Sequence, residues 1–116
     1  MKRIIIGITG ATGTIYGWRL MELLRSEGQT EIHLVMSPSA KLTLKMEHDV
    51  ELERISSLAH EVHAPGNIGA AISSGSFFSE GMIIAPCSIK TLSNIAMGNT
   101  GDLITRAADV ILKERR

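Results

Sequence analysis

The first 28 residues admit few folds. Ile4-Ile5-Ile6 is an apolar run closed by Gly7, and further glycines follow at 10, 13 and 17. A short apolar run without polar alternation reads as a strand buried on both faces. The glycine turn leads into a helical stripe of Leu20, Leu23 and Leu24, which Gly28 ends. Strand, glycine-rich turn and helix in that order open a βαβ unit, and the turn lies where such units bind ligands.

The rest of the chain continues the alternation. Ile32 to Met36 is a second strand, again apolar enough to be buried on both faces. Ser37-Pro38 is a helix start, with Ser as N-cap and Pro at the first helical position, and the helix should reach Glu47. Residues 49–63 are polar, with a helix expected over Leu52 to Leu58. Pro65-Gly66-Asn67 marks a turn, and Ser73 to Ser76 form a small polar loop of the kind that approaches a ligand. Met82 to Ala85 is a third strand, ended by Pro86. Helices over Ile89 to Met97 and Leu103 to Glu114 follow, with Asp102 placed to cap the second. The pattern predicts one domain over residues 1–116: a doubly wound α/β fold with a three-stranded parallel sheet and helices on both faces. The last helix ends on Arg115-Arg116 where another strand is due, so the domain is expected to be incomplete at its C-terminus.

Composition narrows the function. Hydrophobic residues make up 44% but aromatics only 3%, so the core must be aliphatic, which suits a buried parallel sheet. Twelve basic and twelve acidic side chains cancel, and no basic face is offered to nucleic acid. Cys87 is alone, which excludes an intrachain disulfide or a cysteine cluster, and it reads as a small buried or half-buried thiol. His33, His48, His60 and His63 lack ligand spacing along the chain, and His60 with His63 read as surface; no metal is expected. The apolar run at residues 1–9 is too short to span a bilayer and lacks a signal-peptide cleavage pattern, so no membrane association and a cytoplasmic location are expected.

Two motifs carry chemistry. Gly7 to Gly13 can bring backbone N–H groups and a helix dipole up to a phosphate, and as a bare pattern suits a mononucleotide or a dinucleotide. A dinucleotide site usually has an acid at the end of the second strand, whereas this strand ends Val35-Met36-Ser37. A mononucleotide is favoured. Ser88 and Thr91 stand one turn apart at a helix start, where they can bind an anion or simply cap the helix. Arg106, Asp109 and Lys113 have the spacing of a salt-bridged solvated face.

Four segments together carry a resemblance. Gly-Ile-Thr-Gly-Ala-Thr-Gly-Thr-Ile-Tyr-Gly at 7–17, Ile-Ser-Ser-Gly-Ser-Phe at 72–77, Ala-Pro-Cys-Ser-Ile-Lys-Thr-Leu at 85–92 and Arg-Ala-Ala-Asp-Val-Ile-Leu-Lys-Glu-Arg-Arg at 106–116 resemble the flavin prenyltransferases of the UbiX type. The match runs in one register over the whole chain. The family was long described as 3-polyprenyl-4-hydroxybenzoate or aromatic acid decarboxylases.

The resemblance implies a flavodoxin-like flavoprotein that assembles as a homo-oligomer, usually a dodecamer. It implies transfer of a dimethylallyl group from dimethylallyl phosphate to reduced FMN, without metal. The product would be the prenylated cofactor of a UbiD-type decarboxylase, for instance in ubiquinone biosynthesis. By position it implies FMN contacts at Gly10, Ala11, Thr12, Ser37, Ser88, Ile89, Lys90, Thr91 and Arg106. It also implies Glu47, Ser88 and Lys113 as catalytic residues, Glu47 shuttling protons and Lys113 facing the substrate phosphate. Ser74 to Ser76 would lie on a loop closing over the flavin. Thr12 stands where many members have Ser, and the Gly-Ala-Thr-Gly form also occurs in relatives described as decarboxylase subunits. The family's further strand, with an Arg-Glu pair and a later Tyr and Arg for dimethylallyl phosphate, has no counterpart in these residues. An FMN-binding remnant or structural protein without turnover, or an FMN-dependent aromatic acid decarboxylase subunit, are the alternative readings.

Overall fold

Strand β1 (Lys2–Ile8) takes a central place because its residues are apolar in both directions. In the computed structural model, which describes residues 1–116, it pairs in parallel with β2 (Thr30–Met36) on one side and β4 (Gly81–Ile84) on the other. The short strand β3 (Glu61–His63) adds to β2, again parallel, giving the order β3-β2-β1-β4. These are the first four places of a doubly wound sheet, with the reversal of winding between β1 and β4.

Helices cover both faces. Alternate residues Ile6, Ile8, Ile32, Leu34 and Met36 pack against Met21 of α1 (Thr14–Glu27), Ala40 and Leu44 of α2 (Pro38–Glu47) and Ile55 of α3 (Leu52–Leu58). The opposite residues, Ile5 and Val35, pack against Leu103, Ile104, Ala107 and Ile111 of α5 (Leu103–Lys113). Helix α4 (Ile89–Met97) lies outside these cores and buries no side chain, leaving Ile89, Leu92 and Met97 exposed. No helix is long and apolar enough to cross a membrane.

The helix ends follow the local chemistry. Gly28 closes α1 in the left-handed conformation at φ 78°, its N–H donating to Leu24 O. The Ser37 hydroxyl accepts from Ala40 N–H to start α2. Asp102 and Thr105 form a reciprocal capping box on α5.

Several expectations need correction. The sheet has four strands rather than three, because residues 61–63 pair with β2 although Glu61 and Val62 are exposed. In α1, Leu23 faces solvent. The buried line runs through Gly17 and Met21 at an interval of one turn, with Leu20 and Leu24 partly buried beside it. His63 is buried, since its position opposite Val35 turns it under the sheet; His60 remains exposed, its ring tied to Arg25 and to Ile32 N–H. Cys87 is exposed on the turn after β4. The expected ion pairs among Arg106, Asp109 and Lys113 do not form; the salt bridges instead join Arg3 and His33 to acids of β2 and β3, and Arg19 and Arg54 to Glu22.

Gly17 sets how closely α1 approaches the sheet. A Cβ there would lie 2.2 Å from Ala85 O and 2.9 Å from Ile8 Cδ1. The first contact is with backbone, which cannot rotate aside. Gly17→Ala is therefore expected to destabilise the fold by about 1–3 kcal/mol, the usual range for overpacking. Thermal unfolding measures this, and an unchanged midpoint would contradict the close approach.

Candidate functional site at the carboxyl end of the sheet

The carboxyl ends of β1, β2 and β4 converge on one cleft at the point where the winding reverses, the place at which doubly wound sheets bind ligands. Its volume is about 460 Å³, and Pro38 is the one apolar side chain among its lining residues. Thr9 and Gly10 come from the end of β1, Ser37 and Ser39 from the start of α2, and Ser88, Lys90, Thr91 and Asn94 from the start of α4. Asp102, at the start of α5, also lines it. A larger hollow of about 590 Å³ lies at the amino end of the strands, around Lys2, Arg3, Gln29 and Glu80. No helix begins there, so it lacks the oriented N–H groups that make the carboxyl end suited to an anion.

Thr9 builds the junction. Its side chain is buried, its hydroxyl donates to Pro86 O at 2.6 Å, and the same oxygen accepts from Ser88 N–H at 2.7 Å. Ser88 is thereby held beside β1. Its own hydroxyl accepts from Thr91 N–H at 3.2 Å and donates to Thr91 Oγ1 at 3.0 Å, starting α4. On the other side Ser37 N–H donates to Ile8 O at 3.0 Å, which fixes the start of α2. A Cβ on Gly10 would lie 2.4 Å from Ser39 Cβ, so glycine allows the β1 turn to close on α2. The result is two serine-capped helix starts facing one polar space.

The start of α1 is arranged differently. Gly13 takes φ 95° and offers no side-chain cap. The Glu47 carboxylate, arriving from the end of α2, accepts from the Gly13 amide at 3.2 Å and from the Thr14 amide at 3.4 Å. It also accepts from the hydroxyls of Thr12 and Thr14. The Thr12 hydrogen bond first, then those of the Gly13 and Thr14 groups, hold the Glu47 pKa below the ordinary carboxylate range. A protein carboxylate thus occupies the anion position at this helix start.

Of the residues expected at the site, the cleft gathers Gly10, Ser37, Ser88, Lys90 and Thr91. Ala11, Thr12, Glu47, Ile89, Arg106 and Lys113 do not line it. Thr12 and Glu47 bind each other, Ile89 is largely exposed, and Lys113 is exposed near the end of α5. Arg106 is half-buried and its Nε is buried without a hydrogen-bond partner. The loop from Gly75 to Phe77 is held by Arg116, which donates to the carbonyls of both residues. The Cys87 thiol is partly desolvated, which raises its pKa and keeps it protonated at neutral pH.

Thr9, Ser39 and Asn94 were not anticipated. Ser88, Thr91 and Asn94 follow at intervals of three and so share a side of α4, a spacing legible in the sequence. Thr9 had only its place inside the glycine turn to mark it.

A doubly wound sheet with a polar, helix-start cleft at its switch point defines a nucleotide- or phosphate-binding class of α/β protein. The family model described as Flavoprotein matches residues 1–116, and the chain belongs to that family. It is 55% identical over 116 residues to the flavin prenyltransferase UbiX of Escherichia coli strain K12, covering 100% of this chain and 61% of that one. It is 50% identical over 116 residues to the flavin prenyltransferase LpdB of Lactiplantibacillus plantarum, covering 62% of it. Among solved structures, AnUbiX (PadA1) in complex with FMN and dimethylallyl pyrophosphate superposes with a TM-score of 0.96 at 47% identity, covering 99% of this chain and 61% of the other. The dodecameric FMN-dependent UbiX-like decarboxylase of Escherichia coli O157:H7 gives 0.96 at 46% identity, over 98% and 62% of the two chains. The chain thus spans about three-fifths of the length of these relatives.

Because Glu47 is more acidic in the folded chain than in the unfolded one, its bonds to α1 are complete above the ordinary carboxylate pKa of about 4.3 and are lost as pH falls through the lower folded value. Slow hydrogen exchange at the Gly13 and Thr14 amides is therefore expected to persist at pH 5 to 7 in the unaltered chain. Glu47→Ala should accelerate both amides at pH 7. Equal exchange in the two proteins would show that the carboxylate does not cap α1.

Proposed function

We propose that the cleft between the starts of α2 and α4 receives the phosphate and ribityl end of FMN. In the whole protein, the bound reduced flavin then accepts a dimethylallyl group from dimethylallyl phosphate. The observation that carries this reading is the pairing of two serine-capped helix starts, at Ser37 and Ser88, across one polar cleft at the switch point.

The donor set fits that end of the molecule. Hydroxyls of Ser37, Ser39, Ser88 and Thr91, first-turn amides and the Lys90 ammonium suit a phosphate and a polyol. Pro38 is the one apolar side chain lining the cleft, so most of the flavin ring would rest outside it. Bound reduced flavin supplies a nucleophilic ring system to the allylic donor. The residues of this chain hold and orient it: Thr9 fixes Ser88, Gly10 permits close approach, and Lys90 offsets phosphate charge. Arg106, whose Nε is buried and unpaired, is suited to an oxygen acceptor of the bound flavin.

Glu47 is proposed as the proton carrier and Lys113 as the group that meets the departing phosphate, both by position in the family's motifs. Ser88 keeps its proposed role at the flavin. The proposed recipient of the product is a UbiD-type decarboxylase, and the proposed assembly is a homo-oligomer, as in the dodecameric UbiX-like relative.

A second reading, FMN binding without turnover, is favoured by one observation: Lys113 and Glu47 do not line the cleft. One experiment separates the two. Protein, reduced FMN and dimethylallyl phosphate are mixed without oxygen and the flavin is analysed by mass and absorbance. Prenyl transfer gives a flavin heavier by one dimethylallyl unit, and its absence with FMN bound supports the second reading. Loss of the Ser88 cap by Ser88→Ala should weaken FMN binding at least several-fold, measured by quenching of flavin fluorescence. Lys113→Ala should weaken dimethylallyl phosphate much more than FMN; equal losses would contradict its assignment.

A further inference from the structure

Strand pairing assembles a second polar cluster, none of whose members lines the cleft. His33 of β2 lies opposite Glu61 of β3, and His63 is two residues further along the same short strand. His33 and His63 are buried while Glu61 is exposed. His33 Nδ1 is 3.0 Å from His63 Nε2 and 3.6 Å from a Glu61 carboxylate oxygen. One ligand atom from each of the three residues falls within 4.8 Å of the other two.

We propose that His33, His63 and Glu61 form a binding site for a divalent cation of the zinc type, which ties the edge strand β3 to β2. Two imidazoles and a carboxylate are a donor set that suits Zn²⁺, with a fourth position left for water. Bonds of about 2.0–2.1 Å in a tetrahedron place neighbouring donor atoms about 3.3 Å apart. The separations of 3.0 and 3.6 Å bracket that value. The exposed Glu61 side chain is free to swing the remaining distance, and its side offers the route of entry.

The surroundings resemble the support of a metal ligand. The far nitrogen of His33, Nε2, is 2.8 Å from Glu31 Oε2, and Arg3 Nε holds the same carboxylate at 3.1 Å. A carboxylate on the distal nitrogen fixes the tautomer and leaves Nδ1 with its lone pair toward the site. The edge of Phe77, 5.0 Å from the His33 ring, restrains it further. Without metal, the two rings share one N–H between Nδ1 and Nε2. Binding moves the His63 proton from Nε2 to Nδ1, so no net proton is released and no oxidant or reductant takes part.

Titration of the 116-residue chain with Co²⁺, followed by visible absorption, tests the site, with Zn²⁺ as competitor. One saturable equivalent with a tetrahedral spectrum is expected, displaced by Zn²⁺. Glu61→Gln and His63→Gln should each weaken binding at least tenfold. Glu31→Gln, which touches no metal, should weaken it by roughly 10- to 100-fold, as outer-shell partners do. His48→Gln should leave it unchanged. Zn²⁺ should raise the thermal midpoint of the unaltered chain and not that of His63→Gln. If His63→Gln fails to fold, exposed Glu61→Gln alone decides. No saturable binding, or binding unaffected by Glu61→Gln, would overturn the proposal and leave the pair as a plain imidazole–imidazole hydrogen bond.

Discussion

The carboxyl end of the sheet depends on one buried hydroxyl. Thr9 directly follows β1, and its oxygen accepts from Ser88 N–H while its proton goes to Pro86 O. Those bonds fix the turn after β4 against the turn after β1, across the point where winding reverses. Ser37 N–H, held by Ile8 O, fixes the start of α2 from the other side. Two helix starts face one cleft because both are tied to the end of the same central strand, one to Ile8 and one to Thr9 just after it. A buried hydroxyl with both partners in place is stable, whereas losing it would leave the Ser88 amide without an acceptor at a cost of about 1–3 kcal/mol.

The anion positions in this fold are not equivalent. The glycine turn alone suggests that the start of α1 takes a phosphate. Glu47 already accepts the Gly13 and Thr14 amides there, while residues at the starts of α2 and α4 line the cleft. Glu47 also links the end of α2 to the start of α1, so one carboxylate positions two of the three helices on that face.

Local chemistry was readable along the chain, and non-local chemistry was not. Ser37-Pro38, Gly28 and Asp102 mark helix ends because a cap acts within three or four residues of itself. Strand β3 was missed because three residues with two exposed side chains carry no periodicity; only pairing with β2 defines them. The same pairing explains His63, which looked like surface beside His60 and is buried against His33. Leu23 misled because a leucine triplet resembles a stripe until Gly17 and Met21 show which side of α1 meets the sheet. The second cap at Ser88 and Thr91 was legible, while Thr9, 79 residues from its partner Ser88, was not. The family resemblance supplied Arg106 and Lys113, which spacing alone assigned to a salt-bridged face that does not form.

A crystal structure of the chain with FMN addresses the central claim most directly. Phosphate oxygens within hydrogen-bond distance of the Ser37 and Ser88 hydroxyls, with Glu47 still bound to the Gly13 amide, are the predicted result. Phosphate at the start of α1 with Glu47 displaced, and the cleft between α2 and α4 empty, would contradict it.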